Sequence, residues 1–391
     1  MSKMRVLERP RVFGGYVART KRFARFLLPG LAFKAAVIGG GYATGRELAT
    51  FFVPSGPIGG LAAMLLAMVV WSVVCAVTFA FAHRTASQDY RTFFSNLLGP
   101  FWPTYEIAWF LALMLILAVY AAAAGAIGHS LFGWPELAGA LLLTVMIAGV
   151  TAWGNHAVER LFKYVSILLY GTYAAFVVLS LTHYGDRIAG AFHTGGWHSG
   201  WAQGGITYAS YNIIGAIVIL PVTRHLTSTR DAVIAGMIAG PLAMLPAILF
   251  FISMVAWFPG IANEALPSDF LLERLNLPWF RILFQIMIFA ALLESAVSGV
   301  HSINERVATV WKARRGAELT PGARVLLTLG VLAVSVFVAG RYGLVALIAE
   351  GYSWLAAAFL LIYVLPLMTL GLWRLARGRM PRPSLSPHDV P

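Results

Sequence analysis

The sequence predicts an all-α integral membrane protein with ten transmembrane helices, arranged as a 5+5 inverted repeat in which helices 1 and 6 are discontinuous. Three observations lead to this fold class. Of the 391 residues, 59% are hydrophobic and 12% are charged, with a mean hydropathy of +0.76, which leaves too little polar surface for a soluble globule of this length. Apolar runs long enough to cross a bilayer recur along the chain. Glycine-rich polar segments interrupt the first and sixth runs.

The ten predicted spans are apolar runs that can each cross about 30 Å of hydrocarbon. They are 27–53, 58–82, 104–131, 136–153, 160–182, 204–223, 232–257, 279–311, 323–340 and 344–373. The first three spans begin about 175 residues before spans six to eight, and five spans per copy is an odd number, so the second copy is inverted. The predicted units are a basic N-terminal segment (1–25), a first repeat (26–185), an external loop (186–203), a second repeat (204–376) and a tail (377–391).

Basic residues flank the apolar part of the chain. Lys3, Arg5 and Arg9 are among those before the first span, and Arg374 and Arg377 follow the last. Because positively charged segments stay on the cytoplasmic side, we expect a multi-pass protein of the bacterial cytoplasmic (inner) membrane with both termini in the cytoplasm. The net charge of +13 then reflects topology and contact with anionic lipid, and no nucleic-acid partner is expected.

The most informative segment of the sequence lies in the first predicted helix. Three consecutive glycines, Gly39, Gly40 and Gly41, precede the adjacent charged pair Arg46–Glu47. Glycine weakens a helix and buried charge is costly in lipid, so the helix is predicted to break here and to expose backbone polar groups. The polar segment 204–215 predicts a matching break in span six. The alternative at both places is a glycine seam between closely packed helices.

The motif Gly39-Gly40-Gly41-Tyr42-Ala43-Thr44-Gly45-Arg46-Glu47, after a basic N terminus and with five-plus-five order, resembles that of the YkvI-like membrane proteins. These look like members of the amino acid, polyamine and organocation (APC) transporter superfamily, which has the LeuT fold. The resemblance covers about 25–375. It implies a secondary active transporter, not an enzyme, that moves a small polar organic solute, such as an amino acid, by alternating access coupled to H⁺ or Na⁺.

Other functions remain open from the sequence. A channel, or an uncoupled facilitator or exchanger, would use the same polar lining, although paired breaks favour rocking between two states. A membrane-embedded enzyme built on His301 and Glu294 lacks a supporting nucleophile or metal spacing. The partners expected are the lipid bilayer and a small-molecule substrate, and no cofactor or metal is expected because His183, His193 and His198 are irregularly spaced. The oligomeric state is left open.

The resemblance implies which residues bind the solute and the coupling ion. The solute-binding residues expected between the two breaks are Gly39, Gly40, Gly41, Tyr42, Thr44, Tyr208, Tyr211 and Asn212. Sodium-coupled carriers of this fold hold the ion between carbonyls of helix 1 and residues of helix 8, which here are Val37, Gly40, Ala291, Glu294 and Ser295. Glu294 replaces a neutral hydroxyl residue of that pattern, so a proton site is the alternative to a sodium site.

Charged and polar residues near these positions suggest further roles. Ser298 continues the polar stripe of Glu294 and Ser295 along helix 8. Lys34 is expected to substitute for a bound cation, to pair with Glu294 or to snorkel to the surface. Arg46 and Glu47 point about 100° apart on a helix, so each needs its own partner. Arg46 is expected either to close an outer gate with Glu350 or to brace the broken helix through a static ion pair.

Overall fold

The computed structural model describes residues 23, 25–38, 40–153 and 155–378. Within these residues the chain is helical and contains no β-strand. The helices of the first half are α1 (Leu28–Val37), α2 (Gly40–Ala43), α3 (Arg46–Phe51), α4 (Gly56–Arg84), α5 (Tyr90–Leu98), α6 (Pro103–Phe132), α7 (Glu136–Trp153) and α8 (Asn155–Thr194). Each predicted span of this half overlaps one or more of these helices. The predicted N-terminal segment lies almost entirely outside the described residues.

The second half continues the same helical architecture. Its helices are α9 (Trp201–Asn212), α10 (Ile214–Val218), α11 (Thr229–Val255), α12 (Pro267–Arg274), α13 (Pro278–Arg315), α14 (Pro321–Ala346), α15 (Tyr352–Phe359) and α16 (Leu372–Arg377). A 3₁₀ segment, Leu220–His225, follows α10, and three π-type segments, Leu347–Gly351, Leu360–Val364 and Leu367–Gly371, lie between α14 and α16.

Local sequence signals set several helix boundaries. The Asp89 side chain accepts a hydrogen bond from the Thr92 amide (2.9 Å) before α5, and Thr320 accepts one from the Ala323 amide (3.3 Å) before α14. These side chains satisfy amides that have no partner within the first helical turn. Proline occupies the first turn of α6, α13 and α14, where its missing N–H removes no helical hydrogen bond. The predicted starts at 104, 279 and 323 therefore fall within two residues of the observed ones.

Five helical stretches are long and apolar enough to cross a membrane, judged by length and composition. They are Arg46–Arg84, Pro103–Phe132, Thr229–Val255, Pro278–Arg315 and Pro321–Arg377. Large apolar side chains such as Leu326, Phe337 and Trp354 point outward, as expected for a surface that faces lipid. The structure is therefore that of a multi-pass helical membrane protein, while the count of ten helices and the inverted repeat stay predictions.

Helices α4 and α11 form the most extensive helix pair of the bundle. Their backbones approach closely because α11 carries Gly236 and Gly240: a Cβ atom on either would lie 2.3 Å from backbone or side-chain atoms of α4. Gly205 lets α9 approach the Ala63 carbonyl oxygen of α4 in the same way. This part of the predicted polar segment 204–215 therefore forms the glycine seam that was the alternative to a break.

Long-range polar contacts identify the two ends of the bundle. At one end, Arg25 pairs with Asp231, Arg324 with Glu305, and Arg374 with the Asn96 carbonyl. We call this the basic end, because the basic residues at the end of α13 also lie there. At the opposite end, Arg281 of α13 pairs with Asp269 of α12, and the amide of His198 donates to the Ser55 carbonyl.

Candidate functional site

The first predicted helix is interrupted twice. After α1, Ile38 has φ −83° and ψ 81°, which is not helical. The single turn α2 follows, and Gly45, with φ +79°, separates α2 from α3. Gly40 and Gly41 therefore lie in a helical turn, which corrects the expectation that they belong to unwound backbone. The helix is interrupted before this turn, at Ile38, and after it, at Gly45. Gly39, the first glycine of the motif, lies outside the described residues.

The sixth predicted helix has a milder interruption. Helix α9 ends at Asn212 and α10 begins at Ile214, while Ile213 keeps backbone angles close to helical, φ −64° and ψ −17°. Two carbonyls in the last turns of α9 accept side-chain hydrogen bonds. The indole of Trp71 donates to the Ala209 carbonyl (3.0 Å), and the amide of Asn212 donates to the Tyr208 carbonyl (3.1 Å). Side-chain donors thus provide hydrogen bonds to backbone carbonyls at this interruption.

The two interrupted helices lie side by side. Helix α1 packs against α10, and α3 packs against α9. A Cβ atom on Gly215 would lie 3.2 Å from the Cβ of Ala36, and one on Gly204 would lie 2.2 Å from the Phe51 carbonyl oxygen. The two helices therefore pack along both of their segments, α1 against α10 and α3 against α9. Both interruptions consequently border the same region in the interior of the bundle.

Glu47 is a buried carboxylate next to this region. Its side chain lies on α3, the residue is only 6% exposed, and its carboxylate accepts a hydrogen bond of 2.5 Å from the Tyr211 hydroxyl. The ring of Tyr211 packs against that of Tyr352, with a centroid distance of 4.5 Å. None of the ion pairs among the described residues includes Glu47. A carboxyl group buried in this way normally needs a cation, a proton or a ligand to be stable in a membrane protein.

Further aromatic side chains surround Glu47. Tyr208 is fully buried, packs on Phe52 (4.8 Å) and Trp71 (5.5 Å), and interacts electrostatically with Glu47. Its hydroxyl has no hydrogen-bond partner among the described residues. Such buried polar atoms are uncommon and call for an explanation, such as a ligand or a water molecule. Tyr208 and Tyr211 were predicted for the site, and the structure brings them together beside Glu47.

Two other predicted solute ligands take part in structural contacts. The hydroxyl of Tyr42 lies 3.1 Å from that of Tyr173, which in turn donates to the Pro246 carbonyl (2.9 Å). Thr44 is buried, and its carbonyl accepts a hydrogen bond of 3.0 Å from the Ser268 amide. The break in the first helix is therefore tied to α8 and α11 through Tyr42 and to the start of α12 through Thr44.

Arg46 binds backbone carbonyls and not Glu350. Its Nη1 donates to the carbonyls of Ala262 (2.8 Å) and Glu264 (2.6 Å), and its Nε donates to the Thr50 hydroxyl (3.1 Å). Glu350 is exposed and is in none of the ion pairs of the described residues. The structure therefore does not bring the two proposed gate residues together. Arg46 and Glu47 do have separate partners, as their divergent directions on the helix predicted.

The residues predicted for ion coupling are spread along the contact between the first helix and α13. Helix α13 packs against α2, and Val37 and Ala291 are buried. Glu294 is half-buried and interacts electrostatically with Tyr170, and the ammonium of Lys34 lies 4.3 Å from the centroid of the same ring. Lys34 and Glu294 do not form an ion pair in the structure. Ser295 interacts with Tyr120, whereas Ser298 is exposed.

Sequence reasoning missed three of the aromatic residues around Glu47. Trp71, Tyr120 and Tyr352 lie on helices that read as uniform apolar runs, and no local pattern distinguishes them from core residues. Their common feature is a polar atom on a large ring within such a run. Only the tertiary structure shows that Trp71 packs on Tyr208 and Tyr352 on Tyr211. For metals, the described residues contain no group of three or more His, Cys, Asp or Glu side chains placed to hold an ion.

A second polar cluster lies at the opposite end of the bundle. Asp269 of α12 accepts hydrogen bonds from Arg281 (2.7 and 2.8 Å) and Gln285 (2.8 Å), and also from Ser130 of α6. Burial alone favours the neutral form of Asp269, but these donors outweigh it and hold the pKa of the carboxyl below its ordinary value. The cluster joins α12 to α6 and α13, and α12 in turn covers Gly45 and Thr44.

Comparison with known proteins identifies the fold. No protein-family model matches the sequence, and no curated protein matches it. Among solved structures, MhsT in complex with L-phenylalanine shares 17% sequence identity, covers 91% of this chain and 97% of its own, and gives a TM-score of 0.56. A manganese transporter from Eremococcus coleocola, bound to an aromatic bis-isothiourea substituted compound, shares 15% identity over 93% of this chain and 81% of its own, with a TM-score of 0.53.

These similarities show a LeuT-type fold. At such low identity they show the fold alone, and what the neighbours bind is a property of those proteins. The second of these neighbours is a manganese transporter. None of these comparisons tests the resemblance to the YkvI-like proteins.

Proposed function

We propose that this protein is a secondary active transporter that moves a small polar organic solute, an amino acid or a related compound, across the cytoplasmic membrane by alternating access. The observation that carries the proposal is the juxtaposition of two interrupted helices: α1–α3 against α9–α10. In this arrangement, interrupted helices next to the bundle interior offer backbone and side-chain polar groups to a solute at mid-membrane depth. Membership of the YkvI-like group of the APC superfamily is part of the proposal and rests on the glycine motif.

The chemistry beside the interruptions favours an amino acid over a metal ion. Glu47 offers a carboxylate without a cationic partner, the Tyr208 hydroxyl is unpaired among the described residues, and the surrounding walls are aromatic. An amino group could pair with the carboxylate while an apolar side chain packs on the rings. MhsT, which was crystallised with L-phenylalanine, makes this class the first to test. A manganese cargo, as in the other neighbour, has less support, because the described residues contain no candidate metal cluster.

Coupling to H⁺ or Na⁺ is the second part of the proposal, and two carboxylates compete for it. The resemblance favours Glu294, with Ser295, Ser298, Ala291 and the carbonyls of Val37 and Gly40. Burial and the absence of an ion pair favour Glu47. A site that binds a proton or cation in only one conformation biases the equilibrium between the two states, which is what coupling requires. We place the basic end, and with it both termini, on the cytoplasmic side.

The experiment is solute uptake into proteoliposomes that contain the purified full-length protein. Candidate amino acids, amines and nucleobases are first screened by thermal shift, because a ligand that binds the folded state raises the unfolding temperature. We expect saturable uptake of the ligands found, and loss of accumulation when an ionophore dissipates the H⁺ or Na⁺ gradient. Uptake that does not saturate would indicate a channel.

A matched pair of variants tests the site itself. Tyr208→Phe removes a buried hydroxyl for which the described part of the chain offers no partner, so we expect weaker solute binding without loss of stability. Tyr105→Phe is the control: the Tyr105 hydroxyl is also buried and unpaired among the described residues, but its ring stacks on Phe94 (3.8 Å), away from the interruptions. Equal effects of the two substitutions on binding would remove Tyr208 from the proposed site.

A further inference from the structure

A groove of about 590 Å³ lies between the first turns of α6 and the last turns of α13, at the basic end of the bundle. One wall is apolar and outward-facing, and includes Ile107, Phe110 and Val310, all of which are exposed. Because both helices qualify as membrane spans, we place this wall next to the bilayer, at the boundary marked by the basic end. Three arginines, Arg306, Arg314 and Arg315, also line the groove. We call this feature the basic groove.

Arg306 is the most unusual residue of the basic groove. Its guanidinium carbon lies 3.3 Å from the centroid of the Trp109 ring and 3.8 Å from that of Tyr90, so two aromatic rings fix its position. Its Nη1 atom is buried and has no hydrogen-bond partner among the described residues. Arg306 is therefore a rigidly held cation in the lining of the groove, and a guanidinium pairs well with a phosphate or carboxylate group.

The protein's own acidic groups offset this positive charge only in part. Glu106 also lines the groove, but it accepts a hydrogen bond of 3.0 Å from the Tyr90 hydroxyl and forms no ion pair with Arg306. Arg314 is exposed and is in none of the ion pairs of the described residues. Three arginines therefore face one glutamate, and this excess of positive charge favours binding of an anion from outside the chain.

We propose that the basic groove binds one anionic phospholipid of the surrounding bilayer, with the headgroup phosphate on Arg306 and Arg314 and an acyl chain along Ile107, Phe110 and Val310. Basic pockets between membrane helices at an aqueous boundary bind acidic lipid headgroups in this way. A soluble anion would leave the apolar wall uncovered. The N-terminal segment of this chain, which carries Lys3, Arg5 and Arg9, has the wrong charge to occupy the groove.

The test is lipid binding by the full-length protein in detergent, measured by native mass spectrometry. Phosphatidylglycerol and phosphatidylcholine with identical acyl chains are titrated separately. We expect the wild type to prefer phosphatidylglycerol, and Arg314→Ala to weaken its binding by about fivefold, the effect of one basic side chain near an anionic lipid surface. Arg306→Ala should weaken it at least as much. Arg314 is exposed, so its variant is informative even if Arg306→Ala does not fold.

Arg341→Ala is the matched control, because Arg341 is exposed and lies near the other end of α14. It should retain wild-type binding. Equal affinity of the wild type for the two lipids, unchanged phosphatidylglycerol binding by the Arg314 variant, or equal loss in the Arg341 variant would overturn the proposal. So would displacement of phosphatidylglycerol by excess inorganic phosphate, which would identify a site for a free anion. None of these outcomes depends on whether the protein transports a solute.

Discussion

The two halves of the interrupted first helix are held very differently. In α3, Arg46 binds two loop carbonyls and Glu47 binds Tyr211, and all residues from Arg46 to Ala49 are buried. In α1, Ala35 and Ala36 are exposed, and Lys34 contacts the face of Tyr170 without an ion pair among the described residues. Helix α3 is held by directed polar contacts, whereas α1 itself is held mainly by packing and is anchored just before its start by the Arg25–Asp231 ion pair.

This difference indicates which half can move. Moving α3 would break buried charge-assisted hydrogen bonds, which are among the stronger noncovalent contacts in proteins. Moving α1 would instead separate apolar contacts, such as that of Phe33 with Trp71. In the proposed transport cycle, the contacts of Arg46 and Glu47 would keep the opposite end closed.

The largest expected effect follows substitution of Glu47. Glu47→Gln keeps the size of the side chain and an oxygen that can accept from Tyr211, but it removes the ionisable group. We expect gradient-driven accumulation in proteoliposomes to fall to the level seen without a gradient, while solute exchange persists. Glu294→Gln is measured alongside. Loss of accumulation in the Glu294 variant with a normal Glu47 variant would assign coupling to Glu294, as the resemblance implied.

A second test concerns Gly45, whose positive φ permits the turn that leads into α3. Its φ of +79° strains any L side chain, and a Cβ atom would lie 2.9 Å from the Phe250 ring and 3.2 Å from Pro267. We expect Gly45→Ala to lower the free energy of unfolding by about 1–3 kcal/mol, measured by thermal denaturation in detergent. Gly330→Ala in α14 is the control, since nothing lies within 4 Å of its added methyl group; equal destabilisation by both would refute a special role for Gly45.

The pH dependence of stability tests the contribution of Asp269 to the contacts at the opposite end. Its pKa is lowered on folding by Arg281 and its other donors, so its stabilisation is fully present above the unfolded pKa of about 3.9 and is lost as pH falls through the lowered folded value. We expect Asp269→Asn to destabilise the protein by about 2 kcal/mol at neutral pH. The variant should also lose part of the wild type's dependence on acid pH; an unchanged acid profile would contradict this assignment.

The smallest effect is expected at Lys34. Its contact with the Tyr170 ring contributes about 0.5–1 kcal/mol at a partly exposed site, so Lys34→Met should change thermal stability little. If Lys34 instead substitutes for a bound cation, as the sequence left open, the variant will acquire or lose sodium dependence of uptake. Unchanged sodium and pH dependence would leave Lys34 with a packing role alone.

Much of the fold and part of the site followed from the sequence. Apolar run length located the helices, and first-turn prolines placed several helix starts to within two residues. The glycine motif located a break, and the divergence of Arg46 and Glu47 predicted separate partners. The predicted pairing of Arg46 with Glu350 is not seen in the structure. Arg46 instead binds the loop carbonyls of Ala262 and Glu264, more than 200 residues away. No local pattern identifies such acceptors.

The sequence by itself determined that this chain lies in a bilayer and that its first helix does not run through unbroken, because hydrophobicity, glycine content and charge act on each segment locally. Only the tertiary structure decided that Gly40 and Gly41 keep a helical turn, that Tyr208 and Tyr211 lie beside Glu47, and that Arg306 contacts two aromatic rings in a groove with excess positive charge. These features depend on which helices pack together, and such packing is set by shape complementarity across distant parts of the chain.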